Sequence, residues 1–231
     1  MGLSYRTSRL IPFIAAIVLT SANAGAKDID PLTLYGPEHR FTVVRNDSPV
    51  GEHTVTFTRR GEDVEVRARF DIQIRFLVFT AYRYEYESTT VWRDGRLLSL
   101  SAYTNDDGEE SRVRAVLEED RIRIDGPRGT IFADPGIIPT DHWNAAVLPT
   151  DRVLNTITGG VNRVKILDQG AEAVNTANGP VPARRYQYTG ELENEVWYDA
   201  NGRWVRMRFK GRDGSTIDYV CETCESGSGG G

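Results

Sequence analysis

From Val64 to Arg75 the chain alternates without interruption. Val64, Val66, Ala68, Phe70, Ile72 and Ile74 are apolar, and Glu65, Arg67, Arg69, Asp71, Gln73 and Arg75 between them are charged or polar. A helix would scatter the apolar set around its circumference. A strand sends successive side chains to opposite faces and gathers that set on one side. The segment therefore reads as a strand with one packed face and one wet face, which is the pattern of an antiparallel sheet.

The same two-residue rhythm recurs along the chain. Phe41 to Arg45 leads into a turn at Asn46-Asp47-Ser48-Pro49, and Val50 to Thr58 follows, with His53, Val55 and Phe57 on one face. His53 is thus expected as a core histidine. Tyr82, Tyr84, Tyr86, Ser88, Thr90 and Trp92 share another face, opposite Arg83, Glu85 and Glu87. Such a face either floors a binding cleft or is simply rich in good strand formers. Asp94-Gly95 and Asp213-Gly214 suit the positive backbone angles of tight hairpins. Trp92 to Leu98 and Trp197 to Trp204 both read as Trp-led hairpins. Shorter strands are expected at Arg112–Leu117, Arg121–Ile124, Arg163–Leu167, Arg184–Thr189, Glu195–Tyr198, Trp204–Lys210 and Thr216–Val220.

Two stretches break the rhythm. At Phe76-Leu77-Val78-Phe79 four apolar residues run together, so both faces are covered, the chain bends through a bulge, or an apolar tip is presented to a ligand or partner. Between Pro127 and Pro149 Gly, Pro and Asp are frequent; Thr140 can cap a short helix there, with Asp141 at its positive end. The fold class is all-β: a single curved antiparallel sheet, or partly open β-barrel meander, with one short helical insertion from about Thr140 to Leu154. The β domain is expected over residues 40–220, behind a leader loop at 25–39 and ahead of a flexible tail of Cys, Gly and Ser at 221–231.

The first residues carry an address. Arg6 and Arg9 precede an apolar run from Leu10 to Leu19, and Ala22-Asn23-Ala24 matches a small-residue cleavage pattern. The run is shorter than the roughly 20 residues that span a bilayer. Residues 1–24 are therefore expected to be a cleaved export signal, and the mature protein to be periplasmic or secreted. Their removal takes away two arginines and no acid, moving the net charge from -5 to -7. That acidity argues against a nucleic-acid partner, whose binders carry a basic stripe. No later run is long and apolar enough to be an integral membrane segment.

Catalytic chemistry is sparse. The histidines are His39, His53 and His142, and no nucleophile elbow, His-Glu-x-x-His pair or phosphate-binding glycine loop occurs. Asn105-Asp106-Asp107-Gly108 has the look of a calcium loop, but Val116 stands where the twelfth-position Glu would be required, so it reads as a hairpin tip. Asp141-His142-Trp143-Asn144 is the densest polar and aromatic cluster. It is either a proton-transfer site or a plug that buries Trp143 against the sheet. Cys221 and Cys224 are the only cysteines. They are a disulfide candidate; free thiols, part of a metal site and a redox pair are the alternatives. No catalytic residue, metal or cofactor is assigned.

Several short motifs together resemble a known family. They are Phe41–Val44, Pro49-Val50-Gly51-Glu52-His53, Phe70–Phe79, Tyr82-Arg83-Tyr84, Glu87–Leu97, Thr104–Gly108, His142-Trp143-Asn144 and Val196-Trp197-Tyr198-Asp199. Over roughly Arg40 to Val220 the chain resembles the exported bacterial family of unknown function numbered 6134. The resemblance implies a periplasmic antiparallel β protein with no assigned activity. The expected function is a non-enzymatic binding or carrier protein for an apolar, lipid-like ligand, or part of an envelope protein. Its candidate lining is Phe70, Ile72, Ile74, Phe76, Phe79, Tyr82, Tyr84, Trp92, His142 and Trp143. An envelope assembly partner, and a hydrolase or isomerase using His142 and Asp141, are the alternatives.

Overall fold

Tight hairpins join most of the strands, and their turn residues explain the architecture. Asn46 and Asp47, Asp94 and Gly95, and Asp107 and Gly108 all hold positive φ, the conformation that matches a two-residue hairpin to the twist of its strands. The computed structural model describes residues 30–225 apart from 77–78. Its first meander runs through β1 (Glu38–Arg45), β2 (Ser48–Arg60), β3 (Asp63–Phe76), β4 (Phe79–Arg93), β5 (Arg96–Asp106), β6 (Glu109–Glu118), β7 (Arg121–Gly126) and β8 (Gly129–Ala133). Two short strands, β9 (Ile138–Pro139) and β10 (Arg152–Leu154), precede a second meander of β11 (Val161–Thr176), β12 (Gly179–Gly190), β13 (Asn194–Tyr198), β14 (Trp204–Lys210) and β15 (Thr216–Cys221).

All fifteen strands form one sheet, in the order β8-β7-β6-β5-β4-β3-β2-β1-β15-β14-β13-β12-β11-β10-β9. Every neighbouring pair is antiparallel except β9 with β10. The sheet is not closed, and almost no helix accompanies it. One pairing is not local: β1 runs beside β15, with Phe41 opposite Cys221 and Val43 opposite Tyr219. This seam joins the two meanders. The ends of the sheet approach through a loop, where the Ser111 hydroxyl donates to the Ile157 carbonyl at 3.0 Å.

The core is the inner face of this curled sheet. Phe41, Val43, Val55, Phe57, Val66, Leu97, Ile122, Ile124, Tyr188 and Trp204 are all but completely buried. The alternation of β3 appears directly in its burial, with Val64, Val66, Ala68, Phe70 and Ile72 inside. Of the apolar run at 76–79, residues 77–78 lie outside the described residues. The register shifts between Ile74 and Arg75, a bulge, and the ladder ends at Phe76 opposite Phe79. The side chains of Phe76 and Phe79 lie outside the described residues, as does the signal segment.

Three expectations are corrected. The leader is not a loop throughout: Pro31 to Tyr35 form a helical turn that Gly36, at φ 73°, ends, and β1 begins at Glu38. Proline at the first helical position presets φ, which favours this start. The insertion at 140–154 shrinks to a 3-10 turn at Ala145–Val147. Asn144, not Thr140, caps it, its Oδ1 accepting from the Ala146 N–H at 3.0 Å; Pro139 and Pro149 leave little room for a longer helix. The cysteines do not lie in a flexible tail. Cys221 ends β15, Cys221 and Cys224 are disulfide-bonded, and both are buried. The tail is pinned as far as Cys224: the Asn178 amide donates to the carbonyls of Glu222 and Cys224, and the Glu222 N–H donates to the Arg40 carbonyl.

Gly51 marks the tightest strand contact. A Cβ placed there would stand 1.8 Å from the Asp71 carbonyl oxygen. Gly51→Ala is therefore expected to push β2 from β3 and to cost about 1–3 kcal/mol in urea unfolding. The disulfide closes only a short loop. Cys221→Ala with Cys224→Ala should lower stability by about 2 kcal/mol on the chain-entropy relation, in the same assay.

Candidate functional site

A cavity of about 660 Å³ lies inside the curl, at the end of the sheet that holds the β3–β4 and β5–β6 turns. Its first wall comes from β3 and β4. Phe70, Ile72 and Ile74 on one strand stand opposite Tyr86, Tyr84 and Tyr82 on the other. The facing wall is Met207 and Phe209 of β14 with Ile217 and Tyr219 of β15. The seam brings these walls together: the rings of Phe70 and Tyr219 stack at 5.5 Å, and His53 of β2 meets Tyr219 at 5.4 Å and Trp204 at 5.3 Å.

The inner end is polar. Asp141 and His142 form part of it and are fixed by their neighbours. The Trp143 indole N–H donates to Asp141 Oδ2 at 3.1 Å, and the Tyr198 hydroxyl donates to the His142 carbonyl at 2.8 Å. His142 takes a left-handed φ of 56°, a conformation uncommon outside glycine but tolerated by histidine. The Tyr86 hydroxyl donates to Thr156 Oγ1 at 2.8 Å. Several lining side chains are buried with polar atoms lacking a hydrogen-bond partner: both ring nitrogens of His53, Nδ1 of His142 and both amide atoms of Asn194. The mouth is charged. The Tyr82 hydroxyl donates to Asp106 Oδ1 at 2.7 Å, Arg212 pairs with the same carboxylate at 2.8 Å, and Arg45 pairs with Asp213.

Burial sets the titration of the interior. Desolvation lowers His53 to about 3, with His39 and His142 adding repulsion, and lowers His142 to about 4. It raises the Asp141 carboxyl to about 7, against the hydrogen bond from Trp143. His39 is also lowered to about 4 by burial. It sits under the seam, with Nδ1 2.7 Å from Thr223 Oγ1 and Nε2 2.7 Å from the Trp204 carbonyl. His39 and the two cysteine sulfurs lie within 4.8 Å of one another, yet the cysteines are bonded to each other and so offer no thiolate.

The candidates named from sequence divide between two ends of the sheet. Phe70, Ile72, Ile74, Tyr82, Tyr84 and His142 line this cavity. Trp92 and Trp143 instead line a second cavity, of about 670 Å³, beside the Pro31–Tyr35 turn; their rings meet edge to face at 5.3 Å. Asp141 binds Trp143 rather than orienting His142, as expected for consecutive residues that point apart. The lining from Asn194, Met207, Phe209, Ile217 and Tyr219 was not found from sequence. The alternation of Ile217 and Tyr219 about Asp218 marks an inner face, but nothing local says which strand it meets.

Fold and site together define a β-barrel-like protein built of one open, curled antiparallel sheet around an apolar cavity. The chain belongs to the family described as Domain of unknown function (DUF6134), whose model matches residues 41–222. A similar solved structure is the crystal structure of a beta-barrel-like protein of the domain-of-unknown-function family DUF1849 from Brucella abortus. It is 13% identical, covers 80% of this chain and 94% of its own, and superposes with a TM-score of 0.56. At that identity the likeness concerns the fold alone. Among curated proteins none matches this chain. No helix among the described residues is long and apolar enough to cross a membrane.

The buried histidines fix a sign for pH dependence. Folded, His39, His53 and His142 resist protonation down to about pH 4 or below; unfolded, they take protons from about pH 6.5. Their contribution to stability is present above that value and is lost as pH falls toward 4. Asp141 works oppositely, since its folded carboxyl stays protonated up to about 7, but three groups outweigh one. Stability is expected to fall by on the order of 2 kcal/mol per pH unit near pH 5 in urea titrations, and His53→Phe should make that slope shallower.

Proposed function

We propose that this protein is an exported, non-enzymatic binding protein of the cell envelope that takes an apolar, lipid-like ligand into the cavity between β3–β4 and β14–β15. The observation that carries this reading is the cavity itself: about 660 Å³, walled by Phe70, Ile72, Ile74, Phe209, Ile217 and Tyr219. Small-molecule sites are concave, mostly apolar and on the order of 300–1,000 Å³. A sheet that needed only a core would close this space with side chains, because an unfilled apolar void costs stability. The amino-terminal pattern of Arg6, Arg9 and the 10–19 apolar run supports export. Asp141 and His142 support a structural role over catalysis, since their hydrogen bonds go to Trp143 and Tyr198.

Two measurements test the reading. Protein purified without detergent should release an apolar small molecule into organic solvent, seen by mass spectrometry. After extraction it should bind the neutral dye N-phenyl-1-naphthylamine saturably, and Ile74→Trp, which fills the cavity, should weaken that binding at least fivefold with the fold intact by circular dichroism. Empty extracts together with no saturable dye binding would sink the proposal.

A further inference from the structure

We infer that the ligand carries an uncharged hydrogen-bonding group, a hydroxyl or an amide, and that this group enters first, to lodge against His53, His142 and Asn194. This rests on the carrier reading above and adds an orientation and a ligand class to it.

The three residues belong to one wall. The His53 and His142 rings flank Trp204, at 5.3 and 5.9 Å. Asn194 stands opposite Tyr188 across β12 and β13, and the Tyr188 ring meets His142 edge-on at 5.6 Å. All three line the cavity, are at least nine-tenths buried, and hold donors or acceptors that no protein group satisfies. A buried polar atom left unpaired costs about 1–3 kcal/mol. Leucine or phenylalanine at these positions would cost nothing of the kind and would suit a purely apolar occupant better. The unsatisfied set therefore calls for a partner that arrives with the ligand.

Charge decides what that partner is. The basic side chains lining the cavity are Arg45, Lys210 and Arg212, all at the turn that edges the mouth. Arg45 and Arg212 are paired with Asp213 and Asp106, and Lys210 donates to Thr216. A carboxylate or phosphate carried to the inner end would be buried with no cation beside it, which is far costlier than burying a neutral dipole. Burial also keeps both imidazoles neutral near pH 7, so each can donate from one nitrogen and accept at the other. A neutral group that both donates and accepts complements that wall.

The full-length protein, extracted of lipid, is titrated at pH 8 with decane, 1-decanol, decanamide and sodium decanoate, by displacement of N-phenyl-1-naphthylamine. Expected are 1-decanol and decanamide binding at least as tightly as decane, although they give up hydrogen bonds to water, and at least tenfold more tightly than decanoate. Asn194→Leu should lower the ratio of 1-decanol affinity to decane affinity about tenfold, the equivalent of one hydrogen bond. Decane binding more tightly than the alcohol, or decanoate binding as tightly as it, overturns the inward polar group and leaves the apolar carrier standing. Failure of all four to bind removes the carrier reading itself. Should Asn194→Leu not fold, the ranking of the four probes on the unaltered protein decides.

Discussion

An open sheet has a greasy concave face and nothing that automatically covers it. Here the cover is the segment around residues 140–147, and two tyrosines, Tyr198 buried and Tyr35 half-buried, hold it in place. Tyr198 donates to the carbonyl of His142, and Tyr35 donates to the carbonyl of Trp143 at 2.6 Å. The Tyr35 oxygen also accepts the Trp204 N–H at 2.9 Å, so one hydroxyl ties the amino-terminal turn, the plug and β14 together. In so dry a place each of these bonds matters less for what it adds than for the unpaired carbonyl its loss would leave. With the plug fixed, Trp143 fills one end of the curl against Phe57 and Trp92, and Asp141 and His142 face the other.

The division of the interior follows from that plug. On one side, tryptophans and the Pro31–Tyr35 turn border a cavity rimmed by backbone and mixed polar groups. On the other, aromatic and aliphatic walls lead from a charged mouth to a polar inner end. Asp141 and His142 look like a catalytic pair in sequence because they are adjacent and chemically suited. In space, Asp141 serves the indole of Trp143, and the His142 backbone serves Tyr198. What this end keeps is a set of buried polar atoms on His53, His142 and Asn194 that no protein group satisfies.

Much of the fold was legible in the chain, because strand alternation and hairpin turns are local properties. The Val64–Arg75 register, the Asp94-Gly95 and Asp107-Gly108 turns and the Trp197–Trp204 hairpin each depend on residues within a few positions of one another. The half of the candidate site on β3 and β4 was legible for the same reason. The other half was not. Tyr219 and Phe209 face Phe70 only because β1 lies beside β15, a contact between residues far apart in sequence that no periodicity encodes. Trp92 and Trp143 were misplaced by the same limit: Trp92 shares a strand face with Tyr82 and Tyr84, but the strand is long enough to reach from one cavity to the other. The Cys221–Cys224 disulfide was a candidate from sequence, but its fixed place was not legible, because the Ser and Gly that follow it read as tail, while Asn178 and Arg40, which hold that segment, lie elsewhere.

The seam between β1 and β15 also sets a timetable. Each meander can assemble from neighbouring hairpins, which close over short loops. The seam joins the first strand to the last, so its loop-closure entropy is that of nearly the whole domain. Until it forms, Phe70 and Tyr219 belong to separate halves and the cavity has only one wall. The cavity is therefore among the last things to exist on the route to the native state, and until the seam closes its β3–β4 wall is an open apolar trough.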